Sequence, residues 1–156
     1  MKERFVSTEF DIPGEFEGPG FRLGPLGPQH NEHDHDAWSS SIEHSRSTPG
    51  FGPDKDWPEP MSLDANRSDL AGHARDFERR EGFTYSILEG DAVIGCVYIY
   101  PSTTPGHDAD VSSWVRESRL EMDAIVHRSV TDWLNGPWPF ENPRYAARVR
   151  FANPGS

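Results

Sequence analysis

The fold-determining stretch reads Val93-Ile94-Gly95-Cys96-Val97-Tyr98-Ile99-Tyr100-Pro101 and, after a short loop, Ala109-Asp110-Val111-Ser112-Ser113-Trp114-Val115-Arg116. The first run is the most apolar in the chain, and it predicts a strand over Ala92–Tyr100 that is buried on both faces. The second run alternates between two faces and predicts another strand over Ala109–Arg116. Together they indicate the centre of a β-sheet.

Helices and further strands are predicted on both sides of this pair. Phe83–Leu88 precedes it through the turn Glu89-Gly90-Asp91, which is typical of a β-hairpin. Ser62 can cap a following helix, and Gly82 would end it. The order β-α-α-β-β-β-α-β predicts an α+β fold with helices flanking a mostly antiparallel twisted sheet. The remaining predicted elements are strands Phe21–Leu26 and Arg144–Phe151 and helices at about 28–44, 63–81 and up to Leu134.

The chain is divided by composition into three parts. Residues 1–20 are rich in Gly, Pro and acids, which predicts an extended N-terminal arm. Phe5, Phe10 and Phe16 in this arm could dock onto the body or onto a second subunit. Residues 21–151 then form a single domain, and residues 152–156 a frayed tail.

Composition and charge exclude several classes of function. The chain has 156 residues, with 26 Asp and Glu against 15 Lys and Arg, for a net charge of −11. An acidic protein of this kind is not expected to bind nucleic acid or anionic membranes. Cys96 is the single cysteine, so a disulfide framework and a cysteine-ligated zinc site are excluded. No apolar leader or membrane span is seen, and we expect a cytoplasmic protein.

The central strands and the element order resemble those of the GNAT superfamily of acyl-CoA-dependent N-acetyltransferases. In that family a strand reading V-I-G-x-V precedes a strand reading A-x-V-x-x-W-V, and the resemblance covers about residues 21–151. It implies a GNAT-like fold that binds acetyl-CoA in a wedge between strands 109–116 and 144–151. It also implies acetyl transfer to an amine, here a small amine of unidentified structure.

The phosphate-binding motif of the family is only partly present. The family places R/Q-x-x-G-x-G/A between the strand and the next helix, and Arg116 matches its first position, but both glycines are absent. Ser118-Arg119-Leu120-Glu121 fits a capping box, whose side chains would occupy the N–H groups that hold a phosphate. The resemblance assigns cofactor binding to Trp114, Val115, Arg116, Ser118, Arg119 and Leu120.

Two residues are candidates for catalysis. Asp110 lies on the strand where family members often place a general base, and a base there would accept the proton of the amine. Tyr100 could donate to a substrate carbonyl, although tyrosine at the rim of a sheet is often a packing residue. Asp108 and His107 are weaker candidates of the same kind. The even spacing of Arg144, Arg148 and Arg150 suits either CoA phosphates or the acidic excess elsewhere.

The alternative function is a catalytically degenerate GNAT-like module that binds a ligand or a partner without CoA chemistry. The absence of both glycines favours this alternative. The end of the sequence just after the predicted fifth strand favours it as well. A sheet truncated there leaves an open edge, which predicts a homodimer. No metal is expected, because His33 and His35 in the His30–Asp36 cluster point to opposite sides of a helix. Cys96 is expected in the core.

Overall fold

A computed structural model describes residues 5–42, 48 and 61–146 of the protein. Six strands form one sheet in the order β1-β2-β3-β4-β5-β6. Neighbouring strands are antiparallel from β1 to β5, whereas β5 and β6 are parallel. The α+β class and the mostly antiparallel sheet are therefore confirmed. The strands are β1 (Phe16–Gly18), β2 (Phe21–Pro25), β3 (Phe83–Glu89), β4 (Ala92–Pro101), β5 (Ala109–Val115) and β6 (Pro143–Tyr145).

Within the described ranges, three α-helices of at least nine residues flank the sheet. They are α1 (Asn31–Ser39), α2 (Leu63–Glu78) and α3 (Met122–Leu134). Ser62 caps α2 as predicted, because its side chain accepts a hydrogen bond from the backbone N–H of Ala65. Among the described residues no helix is both long and apolar enough to cross a membrane.

Element boundaries differ from the prediction at two places, and a third lies largely outside the described residues. The helix predicted over 28–44 begins as a 3₁₀ turn, Pro28–His30, and the α-helix itself ends at Ser39. Gly82 does not end α2, since the helix stops at Glu78. Only the start of the predicted strand Arg144–Phe151 is described, and positions 147–156 lie outside the described residues.

The sheet buries a different core on each face. On the α3 face, strand residues pack against Val126 and Val130 of α3. On the α1–α2 face, Trp38 of α1 and Leu70 of α2 cover β3, β4 and β5. Trp38 also donates its indole N–H to Asn66 of α2 at 3.1 Å, which ties the two helices together beneath the sheet. Because both faces are covered, β4 is largely apolar on both sides, whereas the α1–α2 side of β3 carries the buried hydroxyl groups of Thr84 and Ser86.

A β-bulge at Ile94 changes the predicted facing of β4. Leu88 pairs with Val93 and Ile87 pairs with Gly95, so Ile94 is an extra residue in the ladder. The sequence predicts Ile94 on the same face as Cys96 and the β4 tyrosines. Instead Ile94 lies in the α3-face core and Cys96 lies on the α1–α2 face.

Part of the segment predicted as an arm joins the sheet. Phe16–Gly18 forms β1 and pairs with β2. The Phe16 ring stacks on Trp133 at 4.8 Å, and the Phe5 ring stacks on Phe140 at 5.2 Å between centroids. The aromatic side chains of this segment were predicted to dock either onto the body of the domain or onto a second subunit. In the structure Phe5 and Phe16 pack on the body of the domain. The segment thus completes the α3-face core.

Arg80 holds this N-terminal segment against the domain. It follows α2 in the left-handed region, with φ of 60°, and its Nη2 donates to the carbonyl oxygens of Ser7 and Phe10 at 2.5 Å each. We expect Arg80→Ala to lower the free energy of unfolding by about 2 kcal/mol, since charged hydrogen bonds contribute ~1.5–3 kcal/mol. Urea unfolding measures this, and the exposed neighbour Arg79→Ala is the control. Equal stability of the two variants would contradict the anchor.

Candidate active site

The predicted wedge lies between β5 and β6. The two parallel strands pair at Ala109, Asp110 and Val111, and the pairing ends at Val111 and Tyr145. Strand β5 continues to Val115 and stays paired with β4 over this whole length. For residues 112–115 of β5, the described part of the chain contains no strand partner on the side where β6 lies. On this side of β5, alternate backbone N–H and C=O groups point toward the predicted wedge.

The donors at this edge follow from the alternation of a β-strand. The N–H of Arg116 donates to the Ile94 carbonyl of β4 at 2.7 Å. Successive N–H groups of a strand point to opposite neighbours, so the N–H of Val115 and of Ser113 point to the wedge. The side chains of both residues lie on the α3 face and are buried. Among the predicted cofactor residues, Val115 is thus the one whose backbone donor faces the wedge.

Tyr145 stands at the mouth of the wedge. It is half-buried at the end of β6, and its hydroxyl group hydrogen-bonds with Ser113 Oγ. Its ring packs on His127 of α3, with 4.2 Å between the ring centroids. A hydroxyl held at this edge can donate a proton to a group that enters between the strands.

The loop after β5 carries Arg116 toward α1. The Arg116 guanidinium contacts Asp36 Oδ2 at 3.1 Å and Ser40 Oγ at 3.2 Å. Its Nε is buried and has no hydrogen-bond partner in the described part of the chain. A buried guanidinium N–H without a partner costs free energy, so Arg116 retains a donor for an anion. Ser41 Oγ accepts the N–H of the next residue, Glu117, at 2.9 Å.

The predicted capping box is wrong. Ser118 lies inside a 3₁₀ turn, Glu117–Arg119, and α3 begins only at Met122. Glu121, the residue before Met122, makes no side-chain cap hydrogen bond within the described structure. The 3₁₀ turn moves Ser118 away from the first turn of α3. The side chains of the box therefore do not cap α3, and the Asp123 N–H donates instead to the Leu120 carbonyl at 3.1 Å.

The other predicted cofactor residues of this loop are exposed. Arg119 donates to Glu89 Oε1 at 2.6 Å, and this ion pair raises the pKa of its guanidinium. Ser118 is exposed, and Leu120 is an exposed large apolar side chain. The loop thus presents one apolar and two polar side chains to solvent beside the N-terminus of α3.

Asp110 and Tyr100 lie side by side on the α1–α2 face. They are direct cross-strand partners, and Arg144 is the partner of Asp110 on β6. Arg144 donates to both carboxylate oxygens of Asp110, at 2.8 and 3.0 Å, and this pairing holds the pKa of that carboxyl below its usual value. Tyr100 donates to Asp76 Oδ2 at 2.9 Å. The two predicted catalytic residues are brought together, each with its own partner.

Trp114 lies on the opposite side of the sheet from α3. It is fully buried, and its indole N–H donates to the Tyr98 hydroxyl at 3.0 Å. Its side chain is therefore part of the α1–α2 core, and its backbone N–H points to β4. Cys96 is buried in the same core, and its thiol donates to Asp34 at 3.3 Å. Burial raises the pKa of this thiol, which agrees with its predicted place in the core.

The histidines of the His30–Asp36 cluster face three different partners. His30 Nδ1 bonds Ser86 Oγ at 2.9 Å, and His33 Nδ1 bonds the Asp91 carbonyl at 3.1 Å. His35 Nε2 bonds the Met61 carbonyl at 2.7 Å. Within the described ranges, no group of three or more His, Cys, Asp or Glu side chains could hold a metal ion. A metal site on this helix has no geometric support.

Sequence reasoning missed Tyr145, Ser113 and His73, which contact Tyr100 or the wedge. Their signal was present, because Tyr145 lies in the strand predicted beside β5, and Ser113 lies within the resemblance motif. Which side chains lie beside β5 depends on the register of β5 with β6. That register cannot be read from residue types.

Comparison with solved structures defines the class of fold. RimJ of Mycobacterium smegmatis, in complex with CoA-disulfide, superposes with a TM-score of 0.67 at 14% identity, covering 89% of this chain and 68% of that one. RimL, a ribosomal-protein α-N-acetyltransferase in complex with coenzyme A, gives 0.60 at 17%, covering 80% and 65%. A ribosomal-protein alanine acetyltransferase from Vibrio fischeri gives 0.58 at 14%, covering 80% and 67%.

The protein therefore has the fold of the GNAT N-acetyltransferases, in divergent form. No protein-family model and no curated protein matches the sequence. The chain spans about two thirds of the length of these solved structures.

Proposed function

We propose that the protein transfers an acetyl group from acetyl-CoA to an amine. The observation that carries this proposal is the β6-facing edge of β5, where the described pairing with β6 covers Ala109 to Val111 while β5 continues along β4 to Val115. This edge offers the Val115 N–H to a carbonyl oxygen, and such a donor stabilises negative charge that develops on the oxygen. The named activities of the solved neighbours support the same reaction.

The residues around the wedge fit acetyl-CoA. The thioester end would lie along β5, and the phosphates would lie near the N-terminus of α3. Arg116 Nε is a buried donor without a described partner, which is what an anionic group would satisfy. The first turn of α3 is not blocked by a side-chain cap. Arg119 and Leu120 would contact the cofactor at the exposed rim, with Ser118.

Each group then has a defined task. Acetyl-CoA supplies an acetyl group activated as a thioester. Val115 N–H polarises the carbonyl while the amine nitrogen forms the new C–N bond and the C–S bond breaks. The Tyr145 hydroxyl donates the proton that the departing thiolate takes up. Asp110 stays ionised beside Arg144 and attracts the protonated amine, while Tyr100 lies next to it. The proton lost by the amine needs a base on the same face.

The acceptor is an amine of one of two kinds. The family resemblance predicted a small amine. RimL and the Vibrio fischeri enzyme are named for ribosomal-protein substrates, which supports a protein amine. An assay panel of small amines and short peptides with free N-termini would separate these acceptors.

A partner-binding module without CoA chemistry is the second candidate function. It is supported by the ion pairs of Arg116 with Asp36 and of Arg119 with Glu89, because both arginines already neutralise a carboxylate of this chain. On this hypothesis the loop after β5 stays closed, and acetyl-CoA does not bind.

Ligand-dependent melting decides between the two functions. A hundredfold excess of acetyl-CoA over its Kd adds ~2.7 kcal/mol of stability, and we expect Tm to rise by roughly 5–10 °C. Arg116→Ala should lose most of this rise, whereas Asp36→Asn, which frees Arg116 from its ion pair, should keep or enlarge it. Both variants remove the same ion pair, so they are matched. An unchanged Tm for the unsubstituted protein at millimolar acetyl-CoA would refute cofactor binding.

The homodimer and the cytoplasmic location stay predictions. Sedimentation at micromolar concentrations measures the first, and cell fractionation the second.

A further inference from the structure

His73 is held over the sheet on the α1–α2 face. It lies on α2, and its ring is 5.6 Å from the Tyr98 ring and 6.1 Å from the Tyr100 ring, between centroids. Its Nδ1 is 2.8 Å from the Tyr100 hydroxyl and 3.2 Å from Thr84 Oγ1. Two aromatic rings and two hydroxyl groups thus fix the orientation of one imidazole.

The hydrogen bonds define which nitrogen of His73 carries the proton. The ionised Asp76 carboxylate only accepts, so the Tyr100 hydroxyl donates to it. The Tyr100 oxygen then accepts from His73, which requires a proton on Nδ1. The other nitrogen, Nε2, keeps its lone pair, and no described residue is hydrogen-bonded to it. The chain from Asp76 through Tyr100 therefore leaves His73 with a basic Nε2.

Burial keeps this imidazole neutral. Desolvation lowers the pKa of His73 below the ordinary value, and the nearby carboxylates of Asp76 and Asp69 oppose the shift without cancelling it. The groups that face His73 from β4 are the phenols of Tyr98 and Tyr100, whose pKa values are raised by burial and which stay neutral. A neutral imidazole at neutral pH can accept a proton.

The register of the sheet places His73 near the level of the wedge. Tyr98, which its ring contacts, is the cross-strand partner of Ser112 on β5. Pairing between β5 and β6 ends one residue earlier, at Val111. His73 and Asp110 both neighbour Tyr100 on the α1–α2 face, since His73 bonds the Tyr100 hydroxyl and Asp110 is the cross-strand partner of Tyr100.

We propose that His73 Nε2 is the base that accepts the proton of the acceptor amine, directly or through one water, with Tyr100 and Asp76 as positioning residues. This rests on the proposed acetyl transfer. The protonated amine first loses one proton to Nε2, which frees its lone pair to form the C–N bond. As the C–S bond breaks, the second N–H proton is lost to water, and the thiolate takes its proton from Tyr145 on the opposite face of the sheet. Water then reprotonates Tyr145. Asp110 is the weaker base, since Arg144 stabilises its ionised form.

The test begins with the tautomer, which needs no activity. Nitrogen-15 NMR of the imidazole at pH 7 should show a protonated Nδ1 and an unprotonated Nε2. Tyr100→Phe should move the population toward the Nε2–H form. A charged ring, or an Nε2–H tautomer in the unsubstituted protein, would overturn the proposal.

Kinetics then measure the role in transfer. His73→Asn keeps a donor near the position of Nδ1 and removes Nε2, and it should lower kcat/KM at pH 7 by about 100-fold or more. The acid limb of the pH profile, which lies below pH 6.5 for a lowered pKa, should disappear with it. His33→Asn is the control, because His33 is an exposed residue of α1. This variant should change neither kcat/KM nor the pH profile. If the unsubstituted protein is active and His73→Asn keeps its rate and pH profile, the role of His73 is contradicted and the proposed function is not. An unsubstituted protein that acetylates no amine contradicts the proposed function and this role with it.

Discussion

Gly95→Ala is expected to unfold the centre of the sheet at a much lower temperature than the unsubstituted protein. A Cβ at Gly95 would lie 1.9 Å from the Trp114 carbonyl oxygen and 2.9 Å from the Val115 Cα. These are backbone atoms, so no side-chain rotation relieves the clash, and β4 must separate from β5. Overpacking costs about 1–3 kcal/mol where side chains can adjust, and we expect at least ~3 kcal/mol here.

The loss of stability should appear as a Tm decrease of roughly 10 °C, since ~1 kcal/mol shifts Tm by about 2–4 °C in a domain of this size. Gly72→Ala is the matched control. Gly72 lies in α2, and a Cβ there meets only the Arg75 Nη2 at 3.8 Å. This variant should gain about 0.5–1 kcal/mol from helix propensity. If Gly95→Ala melts at the same temperature as the unsubstituted protein, the close approach of β4 and β5 is wrong.

Tyr145→Phe is expected to lower kcat for acetyl transfer by about 100-fold. The variant removes the hydroxyl group at the mouth of the wedge, so the thiolate must leave without a proton donor. KM for acetyl-CoA should stay within about twofold, because the ring still packs on His127. Steady-state kinetics with a thiol-detecting reagent measure both values.

A second tyrosine controls for the loss of a hydroxyl group. Tyr85 is buried on the same face of the sheet and donates to the Pro13 carbonyl at 2.6 Å, away from the wedge. Tyr85→Phe should lose about 1 kcal/mol of stability with kcat unchanged. Equal kcat values in the two variants would argue that Tyr145 only supports the structure.

The sequence was sufficient for elements whose residues act locally. The apolar run of β4 and the turn at Glu89-Gly90-Asp91 each depend on neighbours within a few positions, and the hairpin forms as expected. The start of α2 could be predicted because the capping residue, Ser62, lies only three positions before Ala65, from whose N–H it accepts a hydrogen bond. Asp110 and Tyr100 were placed on strands correctly, and the register then made them partners.

Long-range contacts explain what the sequence could not predict. Ser118 and Glu121 fit a capping box by spacing alone. The chain forms a 3₁₀ turn instead, where Arg116 contacts Asp36 of α1 and the Glu117 N–H donates to Ser41 after that helix. Strand β1 depends on pairing with β2 and on ring contacts far along the chain. The pairing of β5 with β6 joins residues far apart in the sequence, so it is a property of the tertiary structure.

The bulge in β4 bears on how the strand tolerates changes in length. A deletion within a regular strand reverses the side of the sheet that every following side chain faces. At Ile94 the chain already holds one residue more than its partner, since Ile87 and Leu88 pair with Gly95 and Val93. Removal of that one residue would leave Cys96 and Tyr98 on their present side. Ile94 is therefore the position in β4 at which one residue can be deleted while the following side chains keep the faces that they now occupy.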